Sequence, residues 1–262
     1  MTTFVQLNNR YEISLRLESA ENLHVGSGLE GLASDAGFLT RNGKAYVPGS
    51  SLRGVLRSTV ERILNSFFPK PIACTLFEKG NDPSLCDVAN EPLRKQIERG
   101  EEELKKLCPV CSLFGSTLMG AKIKVTDALQ PGESVGWSVR DGVGIDRDTG
   151  TAKEAIKFTY DVLDPKAVFE GKLIVENAED DDFALLHVML AELKRGVHMG
   201  GKKSRGLGLV TGVVTKVQYL DPSLLVSYFE TGEAANLPEG QFRQKNLEAF
   251  QEFVKARAEA EV

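Results

Sequence analysis

The chain has 262 residues, a formal net charge of -5 and a hydrophobic fraction of 42%, which allows a sizeable core in one large domain or two small ones. Its acidity excludes a protein that coats nucleic acid indiscriminately but not one with a basic groove, because binding follows where the positive charges sit. No apolar run approaches the roughly 18 residues of a membrane helix, and MTTFVQLNNRYE has neither a charged lead nor an apolar signal core, so a cytoplasmic protein with no membrane partner is expected.

Tyr11, Ile13, Leu15 and Leu17 alternate with Glu12, Ser14, Arg16 and Glu18, the pattern of a half-buried strand. A glycine-rich loop, HVGSGLEGLASDAG, follows, then a short strand near Ala45 to Val47. Ser50 or Ser51 is expected to cap a helix from Leu52 to Phe67, whose Val55, Leu56, Val60, Ile63 and Leu64 share one broad face. Residues 70–115 interrupt the pattern with all four cysteines and the charged segment NEPLRKQIERGEEELKKL. A strand returns at Lys122 to Thr126. Residues 128–160 hold turn signals and the aromatic Trp137, Phe158 and Tyr160, and predict a long protruding excursion.

Val168 to Glu176 reads as a strand, and Asp182 opens a second helix with Phe183, Leu186, Leu190 and Leu193 inward. MGGKKSRGLG leads into a last main strand, Leu209 to Val217. An amphipathic helix carrying Leu247, Phe250, Phe253 and Val254 lies within the final segment, 235–262. No internal repeat is visible. Strand, helix, strand, strand, helix, strand with inserts is an α+β plan, the ferredoxin-like (RRM-like) core of a single domain. That plan names no function.

Cys74, Cys86, Cys108 and Cys111 form C-x11-C-x21-C-x2-C inside one insert. In a cytosolic protein such clustering favours a metal over disulfides. Four thiolates suit a closed tetrahedral Zn2+ site, with Cys108-Pro-Val-Cys111 as its knuckle. Full thiolate ligation leaves no position for water, so the site should be structural. Four buried or idle cysteines are the plain alternative.

Gly196 to Lys203 approaches the phosphate-binding G-x-x-x-x-G-K-[ST], but Lys203 stands where the motif needs a hydroxyl for magnesium. The order is also reversed, since this loop leaves a helix and enters a strand. Nucleotide hydrolysis is therefore rejected. The physics survives: glycines such as Gly200 and Gly201 expose backbone N–H groups to phosphate, and Lys202, Lys203 and Arg205 add charge. Arg53 and Arg57, at helical spacing behind Pro-Gly-Ser-Ser, likewise suggest that something anionic lies across the helix start, which also attracts anions by its dipole.

PGSSLRGVLR followed much later by GGKKSRGLG resembles the RAMP superfamily of CRISPR RNA-binding proteins, with HVGSGLEGLASDAGF and CPVCSLFGS as further familial stretches. The resemblance covers roughly residues 10–217 and looks strongest for the backbone subunit of type III effector complexes. It implies binding of crRNA and target single-stranded RNA, other CRISPR effector subunits as partners, and a role in antiviral defence. The insert is similar to zinc-binding inserts of subtype D or fused type III proteins, and 128–160 matches the family's thumb, which flips out a nucleotide. Guide phosphate would then be held by Ser50, Ser51, Arg53 and Arg57 and clamped by Gly200, Gly201, Lys202, Lys203 and Arg205, with His24 near the RNA.

The resemblance also places Asp35, in GLASDAGF, where type III backbone subunits carry an aspartate needed for target cleavage. A carboxylate there can hold Mg2+ or another divalent ion at the scissile phosphate, or help activate the ribose 2′-OH. A turn aspartate is the bland reading, and with it a non-catalytic RNA-binding scaffold. A guide-processing endonuclease is disfavoured, because His24, His187 and His198 all lie outside the first helix.

Overall fold

A computed structural model of the chain describes residues 5–26, 28, 34–74, 86, 90, 93–95 and 107–259. Much of the expected insert at 70–115, part of the loop after the first strand and the last three residues therefore lie outside the described residues.

Strand β1 (Arg10–Ser19) runs through the middle of an antiparallel sheet that has nine strands among the described residues. On one side it pairs with β10 (Leu209–Leu220), on the other with β8 (Val168–Glu176), which in turn pairs with β4 (Ile123–Val125). Beyond β8 the sheet continues through β5 (Ala128–Leu129), β3 (Lys44–Val47) and β2 (Thr40–Arg41). Two short strands, β9 (Val197–His198) and β11 (Ala235–Asn236), attach to β10. The result is a mixed α+β chain.

The alternation along β1 holds as expected: Tyr11, Ile13, Leu15 and Leu17 are all buried. Above them lie α1 (Gly49–Phe67), with Leu52, Leu56, Val60 and Leu64 inward, and α3 (Asp180–Arg195), with Phe183, Leu186, Met189 and Leu193 inward. A short α2 (Pro109–Phe114) joins the same core through Val110, Leu113 and Phe114. After the roughly two turns of α4 (Leu225–Thr231), α5 (Glu239–Glu259) adds Phe242 and Phe253. Lys245 of α5 reaches the Tyr11 hydroxyl at 2.9 Å, with its ammonium 3.9 Å from the Phe183 ring centroid, a cation–π contact. The opposite face of the sheet carries charges that answer one another: Glu12 with Lys172, Arg16 with Glu170, and Glu176 between Arg10 and Lys124.

Two expectations change. Helix α1 starts at Gly49, not Leu52, and neither Ser50 nor Ser51 caps it. The first free N–H, that of Gly49, donates instead to Asp127 Oδ1 at 2.9 Å, so a tertiary contact takes the place of a local cap. Gly49 is required there, because a Cβ would run into the carbonyl oxygen of Val125. The excursion at 128–160 also divides. Its first residues are β5 in the main sheet, while β6 (Trp137–Ile145) and β7 (Ala152–Leu163) form a separate two-stranded hairpin that extends past residue 160.

One ion pair ties the residue before β4 to the start of α3. Lys122 and Asp182 are both almost fully buried, with Nζ 2.8 Å from Asp182 Oδ2, and Glu179 lies 3.3 Å from the same ammonium. Asp182 also closes the capping box of α3 by accepting from Glu179 N. Removing one partner strands a buried charge, so Lys122→Met should destabilise the protein by about 3–5 kcal/mol in chemical denaturation. A loss below about 1 kcal/mol, the range of exposed pairs, would contradict this account of the pair.

Candidate nucleic-acid interface and metal centre

The loop between β9 and β10 is an extension of the β1–β10 pairing. Ala20 N donates to Leu209 O at 2.8 Å, Gly208 N to Asn22 O at 2.9 Å, and Gly201 N to His24 O at 2.8 Å. Gly200, at φ +81°, lies so close to the His24 carbonyl that a Cβ would collide with it. Lys202 adopts the left-handed region (φ 58°) and starts the single turn Lys203–Arg205. This brings the loop beside the first half of α1. Val25, Gly26, Ser50, Ser51, Gly54, Val55, Ser58, Gly200, Gly201 and Lys203 line one open cleft of about 450 Å³. Ser50, Ser51, Gly200, Gly201 and Lys203 are the lining residues that the sequence motifs point to. Gly26, Gly54 and Ser58 join them in the structure; Ser50, Gly54 and Ser58 recur at i, i+4, which leaves one flank of α1 free of bulky side chains.

Lys202 and Arg205 face the hairpin instead. The Lys202 ammonium lies 4.7 Å and 4.4 Å from the Phe158 and Tyr160 ring centroids, and the Arg205 guanidinium 5.3 Å from Phe158. Phe158 lies over Gly142 of the opposite strand, in space a side chain there would fill. His24 is buried (6% exposed); its Nδ1 is 2.6 Å from the Asp161 carbonyl oxygen, so a proton on Nδ1 donates there. Its ring lies beside Gly26 and Gly201 and edge-on to Tyr160. His24 thus braces three segments.

Asp35 is exposed and held by the next rung of the same strand. Its Oδ2 accepts from Thr159 N at 2.5 Å and Thr159 Oγ1 at 3.0 Å, while Asp35 N donates to Thr159 Oγ1 at 3.0 Å. The backbone bond first, and the hydroxyl second, hold its carboxyl below the ordinary aspartate range. Thr159 carried no signal in the sequence, being 124 positions away.

The two arginines of α1 point to its other flank. Arg53 donates to the Phe114 carbonyl and lies 5.8 Å from the Phe114 ring centroid. Arg57, 9% exposed, is engaged on all three nitrogens: Nε with Glu61 Oε1 at 2.7 Å, Nη1 with Gly115 O at 2.8 Å and Nη2 with Cys111 Sγ at 3.1 Å. Both line a second groove of about 560 Å³ with Gly115, Ser116, Thr117 and Gly120. The expectation that Arg57 offers its guanidinium to phosphate therefore meets three protein partners in place of the cleft.

The cysteines converge as expected. The four sulfurs lie within 4.8 Å of one another, with Cys74 to Cys111 at 3.4 Å and Cys74 to Cys108 at 3.7 Å. A tetrahedral zinc with bonds of about 2.3 Å needs sulfurs about 3.8 Å apart, so the set fits a metal ion of that kind. Backbone donors already point inward, Cys111 N to Cys108 Sγ at 3.4 Å and Cys108 N to Cys86 Sγ at 3.1 Å. Hydrogen bonds from Cys111 and Cys74 pull the Cys108 thiol down, while the Cys111 thiol is pushed up by its bond to Cys108. All four sulfurs crowd one point, an arrangement that could hold a metal ion.

The depressed carboxyl of Asp35 sets a pH dependence. Its hold on Thr159 is complete above the unfolded-state value and is lost as pH falls through the lower folded value. Followed by NMR, Asp35 should titrate below the ordinary value of about 3.9. Thr159→Val should raise it only part of the way, because the backbone donor remains. A wild-type midpoint at or above the ordinary value would contradict the geometry.

No curated protein matches the chain. The family model of the RAMP superfamily, however, matches residues 16–211, a span that runs from β1 into β10 and includes both walls of the cleft, the cysteine cluster and the hairpin. Members of that family generally work in CRISPR-associated complexes with RNA partners, and some are RNA endonucleases. With three quarters of its length matched, the chain belongs to the RAMP superfamily.

Proposed function

We propose that the protein is a backbone subunit of a type III CRISPR effector complex, which holds crRNA in the cleft beside α1 and presents it to target single-stranded RNA. The observation that carries this reading is the meeting of PGSS and GGKKSRG in one cleft from distant parts of the chain. The order β10-β1-β8-β4, with α1 and α3 over one face, supports a ferredoxin-like core. Backbone N–H groups near Gly200 and Gly201, the serine hydroxyls and Lys203 suit phosphate. The exposed Trp137, Val139, Val143 and Ile145 of the hairpin suit a thumb inserted between bases. The cysteines suit a structural Zn2+, held by all four thiolates and leaving no place for water.

Cleavage of the target by Asp35 is the enzymatic part of the proposal. Thr159 bonds to Oδ2, so Oδ1 is the oxygen offered to a divalent ion such as Mg2+. That ion would polarise the scissile phosphate. Among the described residues, the cysteines are the one group of three or more His, Cys, Asp or Glu side chains close enough to share a metal. Asp35 would therefore hold the ion together with RNA phosphate, a mode that magnesium commonly adopts. The lone carboxylate equally favours a second reading, a scaffold subunit that binds RNA without cutting it.

The test uses the reconstituted complex in the cytoplasmic setting expected for it. Changing Lys203 to alanine should weaken RNA binding regardless of sequence and flatten the salt dependence by roughly 0.7, the share of one lost phosphate contact. Asp35→Asn should bind guide and target normally but stop cutting at the phosphate facing this subunit, as EDTA should in the wild type. Unchanged affinity and salt slope in the lysine variant would move the RNA out of the cleft. Unchanged cutting in Asp35→Asn would leave the scaffold reading.

A further inference from the structure

The strongest unassigned device in the molecule is the buried cation between the metal-competent cysteines and the helix that walls the cleft. Arg57 reaches three groups with one guanidinium, one in its own helix and two on α2 or at its end. Glu61 is one turn on in α1 and fixes the Nε edge. Gly115 is the residue at which α2 ends, and its carbonyl takes Nη1. Cys111 Sγ takes Nη2 at 3.1 Å and is itself fully buried. On the same helix the adjacent Ser58, with Gly54 and Ser50, lines the cleft. One side of α1 is thus clamped to the cysteine cluster while the other forms the RNA wall.

We propose that Arg57 is a positioning residue that couples the metal state of the cysteine cluster to the cleft. The inference rests on the metal reading given above. Four thiolates around a divalent ion carry two net negative charges, and a buried site of that charge needs cations or donors outside the ligand shell. Arg57 is both, and its bond to a metal-bound thiolate is charge-assisted. The same bond holds α1 at a fixed distance from α2. Metal loss lets the Cys111 sulfur take up a proton and become a weaker acceptor, leaving Arg57 held mainly by Glu61 and Gly115, and loosens the helix that carries Ser50, Gly54 and Ser58. A phosphate ligand would face the cleft; Arg57 does not.

The experiment compares full-length wild type, Arg57→Met and Arg57→Lys. Zinc affinity is read by chelator competition, and single-stranded RNA affinity is read with and without chelator. Wild type should bind about one zinc per chain, and chelation should weaken its RNA binding. Arg57→Met should bind zinc about 10–100-fold more weakly. Its RNA affinity should already be low, should respond little to chelator, and should keep the wild-type salt slope. Arg57→Lys keeps the charge without the planar fork, and should recover only part of the zinc affinity. If Arg57→Met does not fold, Arg57→Lys carries the test alone: several-fold weaker zinc supports the coupling, and wild-type zinc affinity overturns it. Unchanged zinc affinity in Arg57→Met overturns this inference alone. A salt slope flattened by roughly 0.7 would make Arg57 a phosphate contact and overturn it too. Zinc-free wild type would overturn the metal reading, and the coupling with it.

Discussion

The bond from Gly201 N to the carbonyl of His24 is the join on which the cleft depends. It lies where β1 leaves the sheet and where the chain is about to enter β10. Both ends are therefore set by the same ladder, which runs from Arg10 opposite Leu220 to Ser19 opposite Val210. Beyond the last ladder pair, the two backbones stay close because the residue facing His24 is a glycine with no side chain to separate them. A loop anchored in this way does not have to order itself on each binding event. The net acidity of the chain does not oppose this. On the far face of the sheet, acids and bases neutralise one another in pairs, so the charge near the glycine loop acts locally.

Strand β7 supplies the second constraint. Four consecutive residues each hold part of the site: Phe158 lies under Lys202 and Arg205, Thr159 holds Asp35, Tyr160 packs beside Lys202 and His24, and the Asp161 carbonyl takes the His24 proton. A strand sends neighbouring side chains to opposite faces, so one short run reaches the glycine loop on one side and the β1 exit loop on the other. The hairpin is therefore part of the site's frame as well as its outermost projection. Moving it would release the basic loop and the aspartate together.

How far the sequence reveals this follows from the range of each signal. The period of two in β1, the bounds of β8 and the approach of the cysteines are visible because pattern or clustering carries them locally. The cleft is visible from two motifs whose glycines have no use in isolated strands or helices. The cap of α1 is not, because Asp127 reaches Gly49 across 78 positions while Ser50 and Ser51 look like ordinary local caps. The partner of Asp35 is hidden for the same reason. Arg57 is the instructive case. Its i, i+4 pairing with Glu61 is written in the sequence, yet a basic residue at helical spacing reads alike whether it meets solvent, phosphate or a cysteine sulfur. Only the end of α2, brought in by the core, decides between them.

The claim at the centre of this account is that RNA lies between the first half of α1 and the glycine loop. Amide hydrogen exchange, with and without a bound single-stranded guide, addresses it at the backbone itself. Protection is predicted to rise together at residues 49–54 and 200–206, with the outer face of β1 and β8 unchanged. Protection confined to the sheet face, or to the groove at 115–121, would contradict it.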